Sequence, residues 1–251
     1  MPSVLAIAAH PDDIEFVMAG TMLRLRDLGW DLHYMNIADG CRGSMETNKE
    51  ETAAIRLVEA KRAAEMMGAA FYPPLCRDME VIYSPELLRR VAAVVRMARA
   101  DVVLTHSPSD YMEDHEQACK LAVSAAFCHT MPNQETEPPT DIYTDPVTVY
   151  HAQPHGNCTP LCEPITPGLF VDCGDVVQEK REILAAHTSQ KEWLDKSQGM
   201  DSYLQTMLDQ SLAVGKMSGR FEHAEGWRRH LHWGFCGPDD DPLAELFGGD
   251  A

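Results

Sequence analysis

The sequence predicts an α/β fold around a mostly parallel sheet, and three observations carry that reading. Short apolar runs at 4–9 and 102–105 read as strands buried on both faces, the usual signature of parallel pairing. Segments of helical period stand between them, so strand and helix alternate as in βαβ units. Both runs end abruptly in clusters of His and Asp, where open α/β sheets bind their ligands.

The first strand, from Val4, stops at His10-Pro11-Asp12-Asp13, because Pro11 cannot continue a ladder. A single helix is expected from Ile14 to Leu28, with Ile14, Val17, Met18, Leu25 and Leu28 on one face and Gly29 as C-cap. Asp31 to Ala38 reads as the second strand. It leads into Asp39 to Ser44, where Gly40 and Gly43 suit a tight turn, a close approach or a plain loop. A long helix from about Asn48 to Met67 ends at Gly68 and carries Ile55, Glu59, Arg62 and Met66 near one face. Arg56 and Glu59, three apart, have the spacing of a surface ion pair.

Ala69 to Tyr72 forms a short strand before Pro73-Pro74. Ser84 then caps a helix with Pro85 at its first position and Leu88, Val91, Val95 and Ala98 as its buried stripe. After the strand at 101–105, a helix opens at His115 and runs to about Cys128. The polar, Pro-rich stretch from His129 to Thr144 is a loop able to line or cover a site. Val147 to Tyr150 is a strand leading to His151 and His155, whose scattered placement suits solvent or hydrogen bonding better than a second metal site. Helices are expected at 175–186 and 192–211, joined by His187-Thr188-Ser189-Gln190. The acidic tail around Asp239, Asp240 and Asp241 reads as solvated.

A chain of 251 residues can bury a substantial core, and no repeat or linker divides it, so one domain over 1–251 is expected. The net charge of −18 argues against nucleic acid and anionic membrane as partners, since both need clustered Lys and Arg. No apolar stretch approaches a membrane span and no signal-peptide pattern opens the chain, so a cytoplasmic location is expected. The eight cysteines include only one close pair, Cys158 and Cys162, which argues for reduced thiols rather than a zinc ribbon.

The chemistry concentrates at the two strand ends. His10 and Asp13, three apart, have the donor types of a divalent metal site. Asp12 and Asp13 alone would read as helix caps, which leaves His10 unexplained. If both strands lie mid-sheet, His115 faces them across the crevice. Two His and one carboxylate with an open fourth position is the arrangement of hydrolytic zinc. His115 alone would read as an exposed residue at a helix start.

Taken together, these blocks resemble the PIG-L/LmbE-type zinc-dependent N-deacetylases. The similarity lies in Ala9 to Asp13, Gly40 to Gly43, Arg56 with Glu59, Pro108, Asp110-Tyr111, Asp114-His115, His187 to Gln190 and Ala224-Glu225-Gly226. The resemblance implies a Rossmann-like three-layer sandwich. It also implies zinc on His10, Asp13 and His115, with Asp12 as general base toward zinc-bound water. That water attacks an N-acyl carbonyl, whose tetrahedral intermediate needs an oxyanion donor. Arg56 resembles a substrate-contacting arginine, the surface pair with Glu59 being its other reading. The sequence departs from the family's His-Pro-Asp-His run by placing Met112 where the first histidine stands. Tyr111, Asp110 or His187 are candidates for the vacated oxyanion or acid role, or protonated Asp12 returns the proton itself. Asp114 is a candidate support for a histidine ligand, and Glu15 receives no role.

The resemblance further implies an N-acetylated amino-sugar conjugate as substrate and a homo-oligomer. Fe2+ or Co2+ could occupy the same donor set. An amidase of larger N-acyl or thiol conjugates is the second reading. A degenerate Rossmann-type binding module is the third, and Asp12 and Asp13 oppose it by repelling phosphate at the first strand end. Metal binding needs neutral imidazoles, so activity is expected to fall below roughly pH 6.

Overall fold

The computed structural model describes residues 1–191 and 203–248. Among them, β1 (Ser3–Ala8), β2 (Asp31–Asn36), β3 (Ala70–Tyr72), β4 (Val102–Thr105), β5 (Thr148–Ala152), β6 (Leu169–Asp172) and β7 (Ala224–Arg229) form one sheet in the order β3-β2-β1-β4-β5-β7-β6. The first five run parallel, and β7 joins β5 antiparallel and carries β6 on its far edge. The strand order reverses between β1 and β4, which opens a crevice beyond their carboxyl ends.

Alternate residues of β1 enter opposite cores, since successive strand side chains point to opposite faces. Val4, Ala6 and Ala8 pack with α1 (Asp13–Val17), α2 (Ala19–Asp27), α3 (Lys49–Met67), α6 (Val177–Leu184), α7 (Tyr203–Ser218) and α8 (Pro242–Phe247). Leu5, Ile7 and Ala9 pack with α4 (Pro85–Ala98) and α5 (Glu113–Phe127). The architecture is the Rossmann-like three-layer sandwich with a mostly parallel sheet.

Several elements depart from their expected form. The helix expected over Ile14 to Leu28 is two helices broken at Met18, whose φ is −132°. The cause is remote: the Glu225 carboxylate on β7 accepts the Gly20 and Thr21 amides at 2.8 and 2.7 Å, giving α2 its own N-terminal cap. Lys180 of α6 lies 2.6 Å from the same carboxylate. On α3 the expected face is reversed. Ile55 is exposed and Arg56 is buried, because small Ala60, Ala63 and Ala64 admit the close approach to the core. β6 had no expectation at all.

The loop at 129–144 does not cover the crevice. Arg96 of α4 holds it by donating to the carbonyls of Cys128, His129, Met131 and Thr140, and Tyr143 donates to the Ala100 carbonyl just before β4, at the opposite end of that strand from the crevice. The acidic tail is anchored rather than wholly solvated, since Asp241 caps α8 and accepts the Tyr150 hydroxyl. Of the helix expected over 192–211, 192–202 lies outside the described residues, and the remainder belongs to α7. The described helices include none long and apolar enough to cross a membrane, and all eight cysteines are free thiols.

Candidate metal centre and active site

The turn after β1 is pinned from several directions. Asn36 Nδ2 donates to the His10 carbonyl at 2.6 Å, and the His10 amide donates to Asp13 Oδ2 at 2.7 Å. Asp12 is thereby held at φ 101°, a left-handed conformation that costs a non-glycine residue of order 1–3 kcal/mol. Its carboxylate caps no helix. Oδ2 instead accepts the Tyr203 hydroxyl at 2.6 Å, and Oδ1 stands 3.4 Å from the Arg56 guanidinium.

His10, Asp13 and His115 converge, each offering a donor atom within 4.8 Å of the others. His10 Nδ1 is 3.4 Å from Asp13 Oδ2, and His115 Nε2 is 3.4 Å from Asp13 Oδ1. The far nitrogens are taken by carboxylates: His10 Nε2 pairs with Asp114 at 3.0 Å and His115 Nδ1 with Asp110 at 2.9 Å. Such pairing sets each tautomer so that the near nitrogen keeps its lone pair for a metal. His106 stacks on His115 with centroids 4.1 Å apart, and its Nε2 accepts the Ala9 amide at 2.9 Å. That lone pair is engaged, so the trio of His106, Asp110 and His115 suits a metal less well.

The electrostatics favour positive charge at this point, which is the second half of the fit to a divalent cation. Against its own burial, the imidazoles of His115, His106 and His10 hold Asp13 well below the usual carboxylate range. Burial opposes protonation of His10 and His115, yet Asp114 and Asp13 lift the first to about 9, and Asp13 and Asp110 lift the second to about 10. Asp12 goes the other way. Burial raises it, with Arg56 pulling against that rise.

A cavity of about 380 Å³ opens onto the centre, lined by His10, Asp12, Asp13, Arg56, Tyr111 and His155 among others. Arg56, 3% exposed, donates to the carbonyls of Gly40 and Pro11, so the surface pair with Glu59 does not form. Glu59 instead binds the amide and hydroxyl of Ser189. A Cβ on Gly40 or Gly43 would meet the Arg56 side chain at 2.6 or 2.7 Å, which explains both glycines. Tyr111 lies at the rim, 59% exposed.

Two residues expected at the substrate lie elsewhere. Asp110 is buried behind His115 rather than on the cavity wall. His187 is fully buried, 3.3 Å from Glu15 Oε1, in a pocket of polar groups that includes the Tyr34 hydroxyl.

Other groups at the site were not anticipated. Tyr203 comes from α7, 191 residues beyond its partner Asp12, and carries no local signal. His155 reaches the cavity from the end of β5, and burial, with His115 nearby, pulls its pKa down to about 4. His151 lies inside β5, bonded to the His106 carbonyl and His230, away from the centre.

The family model described as "PIG-L: GlcNAc-PI de-N-acetylase" matches residues 5–127. A diacetylchitobiose deacetylase of Thermococcus kodakarensis is 32% identical over 232 residues, covering 90% of this chain and 82% of the relative. Two solved structures share the fold. A 4-carboxy-2-hydroxymuconate hydratase of Pseudomonas putida has TM-score 0.73 and 23% identity, covering 91% of this chain and 96% of its own. An N,N'-diacetylchitobiose deacetylase of Pyrococcus horikoshii has TM-score 0.72 and 24% identity, covering 90% of this chain and 83% of its own.

Proposed function

From the premise that the chain belongs to the PIG-L family, we propose that it is a metal-dependent amide hydrolase removing an N-acyl group, foremost N-acetyl, from an amino-sugar conjugate. The observation that carries the reading is the pair of histidines, His10 and His115, each anchored to a carboxylate on its far nitrogen and aimed at Asp13 on its near one. The deacetylase relative supports the N-acetyl choice.

His10 Nδ1, Asp13 and His115 Nε2 would hold the metal, with zinc preferred for two His and one carboxylate and Fe2+ or Co2+ as alternatives. When bound, such a metal supplies a water acidified toward neutrality and a Lewis acid for the carbonyl. The remaining work falls to the chain. Asp12, raised by burial, accepts a proton from the attacking water. Tyr203 and Arg56 aim its carboxylate. Water adds to the carbonyl carbon, the C–N bond breaks, and Asp12 returns the proton to the departing nitrogen, leaving free amine and carboxylic acid. Arg56 and Tyr111 line the space beyond, where the sugar would lie.

In the same reading the chain acts as one domain over 1–251, in the cytoplasm, on a small molecule, as a homo-oligomer. Light scattering tests the oligomer. The activity is tested by assaying acetate and free amine from N-acetylglucosamine and N,N'-diacetylchitobiose, beside analogues with bulkier acyl groups. Release of acetate that stops with a chelator and returns with zinc supports the proposal. Turnover of the bulky amides alone would move the reading to the larger-conjugate amidase.

A further inference from the structure

The cavity contains an imidazole that neither the metal centre nor Asp12 uses. His155 opens the short 3-10 turn His155–Asn157 at the end of β5, where Gly156 and Asn157 have φ of 76° and 55°. Gln153 Nε2 ties this turn to the Ile165 carbonyl at 2.7 Å, and the Ile165 amide returns to the Asn157 carbonyl at 2.9 Å. The ring itself is wedged among Phe16 at 5.0 Å, Tyr111 at 5.8 Å and His115 at 6.1 Å between centroids. It is held by ring contacts, with no hydrogen bond to it among the described residues.

Two donors beside Asp12 are engaged. Arg56 is bonded to Gly40 and Pro11, and Tyr203 to Asp12. Met112 lines the same cavity and offers no N–H or O–H. Tyr111 has a hydroxyl, but at 59% exposure it stands in water at the rim. An amide carbonyl approaching Asp12 and the His10, Asp13 and His115 cluster meets the His155 ring, which is fixed by its packing and carries no hydrogen bond among the described residues. Resting on the amide-hydrolase reading above, we propose that His155 is a catalytic residue whose ring N–H donates to the carbonyl oxygen of the scissile amide as negative charge develops there. An imidazole carries an N–H in either ionisation state, so the role needs no proton transfer from His155. It forms and releases a hydrogen bond only. The water's proton still passes by way of Asp12 to the nitrogen.

The test uses the full-length metal-loaded enzyme and an N-acetyl substrate. His155→Phe keeps the ring packing and removes the N–H, whereas His155→Gln restores an N–H donor. The expected result is a loss of about 10²–10³-fold in kcat for His155→Phe. KM and metal content should stay near wild type, with partial recovery in His155→Gln, whereas Tyr111→Phe, beside the sugar space, should act on KM rather than reproduce the loss in kcat. An active wild type with His155→Phe within about threefold of it would overturn this role alone, as would Tyr111→Phe reproducing the loss. A wild type inactive on all N-acyl compounds would overturn the hydrolase reading and this role with it.

Discussion

On the proposed mechanism, the role of Asp12 is built into one backbone angle. At φ 101° it occupies a conformation glycine would adopt without cost, and the surrounding hydrogen bonds hold it there. The strain turns its carboxylate away from the helix and toward Tyr203 and Arg56. Asp12→Asn keeps the shape but cannot take a proton, so kcat should fall by roughly 10²–10⁴-fold with metal content retained. Steady-state kinetics beside elemental analysis check this. The pH dependence of metal uptake follows from His10 and His115, lifted to about 9 and about 10 by their carboxylates. Because a metal must displace those protons, affinity should rise with pH and weaken on acidification. Each unit below about 9 costs up to about tenfold per proton displaced, readable as zinc Kd at pH 6 and pH 8. At this scale the sequence was most legible where partners are close along the chain, as in His10 and Asp13. It was least legible at Tyr203, whose partner Asp12 precedes it by 191 residues.

Among the elements, α3 was readable at both ends because its stops are local. Asn48 and Glu51 form a reciprocal capping box, and Gly68 closes the helix at φ 75°. The break between α1 and α2 was not readable, since Glu225 makes it from across the fold. That carboxylate and Lys180 are almost fully buried, with side chains 3% and 1% exposed. Removing one partner of such a pair strands the other. Glu225→Ala should therefore cost about 3–5 kcal/mol in urea unfolding. It also takes away the cap on α2. Lys180→Met in the same background should recover part of the loss, because it removes the stranded charge. β6 escaped notice because a four-residue edge strand among prolines lacks the length that periodicity needs.

For the whole molecule, the order β3-β2-β1-β4 places the ends of β1 and β4 side by side at the point where the sheet changes direction. Residues more than a hundred positions apart, His10 and His115, meet there. Their meeting could be anticipated from alternating strands and helices, since a parallel sheet aligns its carboxyl ends. The loop at 129–144 could not be placed by the same logic. Its position depends on buried groups remote in sequence, Arg96 on its carbonyls and the Tyr143 hydroxyl on the Ala100 carbonyl, and its composition says only that it is a loop. Metal bound at the crevice would tie β1 to α5 and stabilise the native state by mass action, so zinc should raise the melting temperature and a chelator should lower it.

The central claim is that His10, Asp13 and His115 form a metal centre, and elemental analysis of the purified protein tests it most directly. Wild type should carry about one zinc or iron per chain, and Asp13→Ala and His115→Ala should each lose it while remaining folded by circular dichroism. A folded wild type that binds no divalent metal, even after incubation with zinc, would contradict the account.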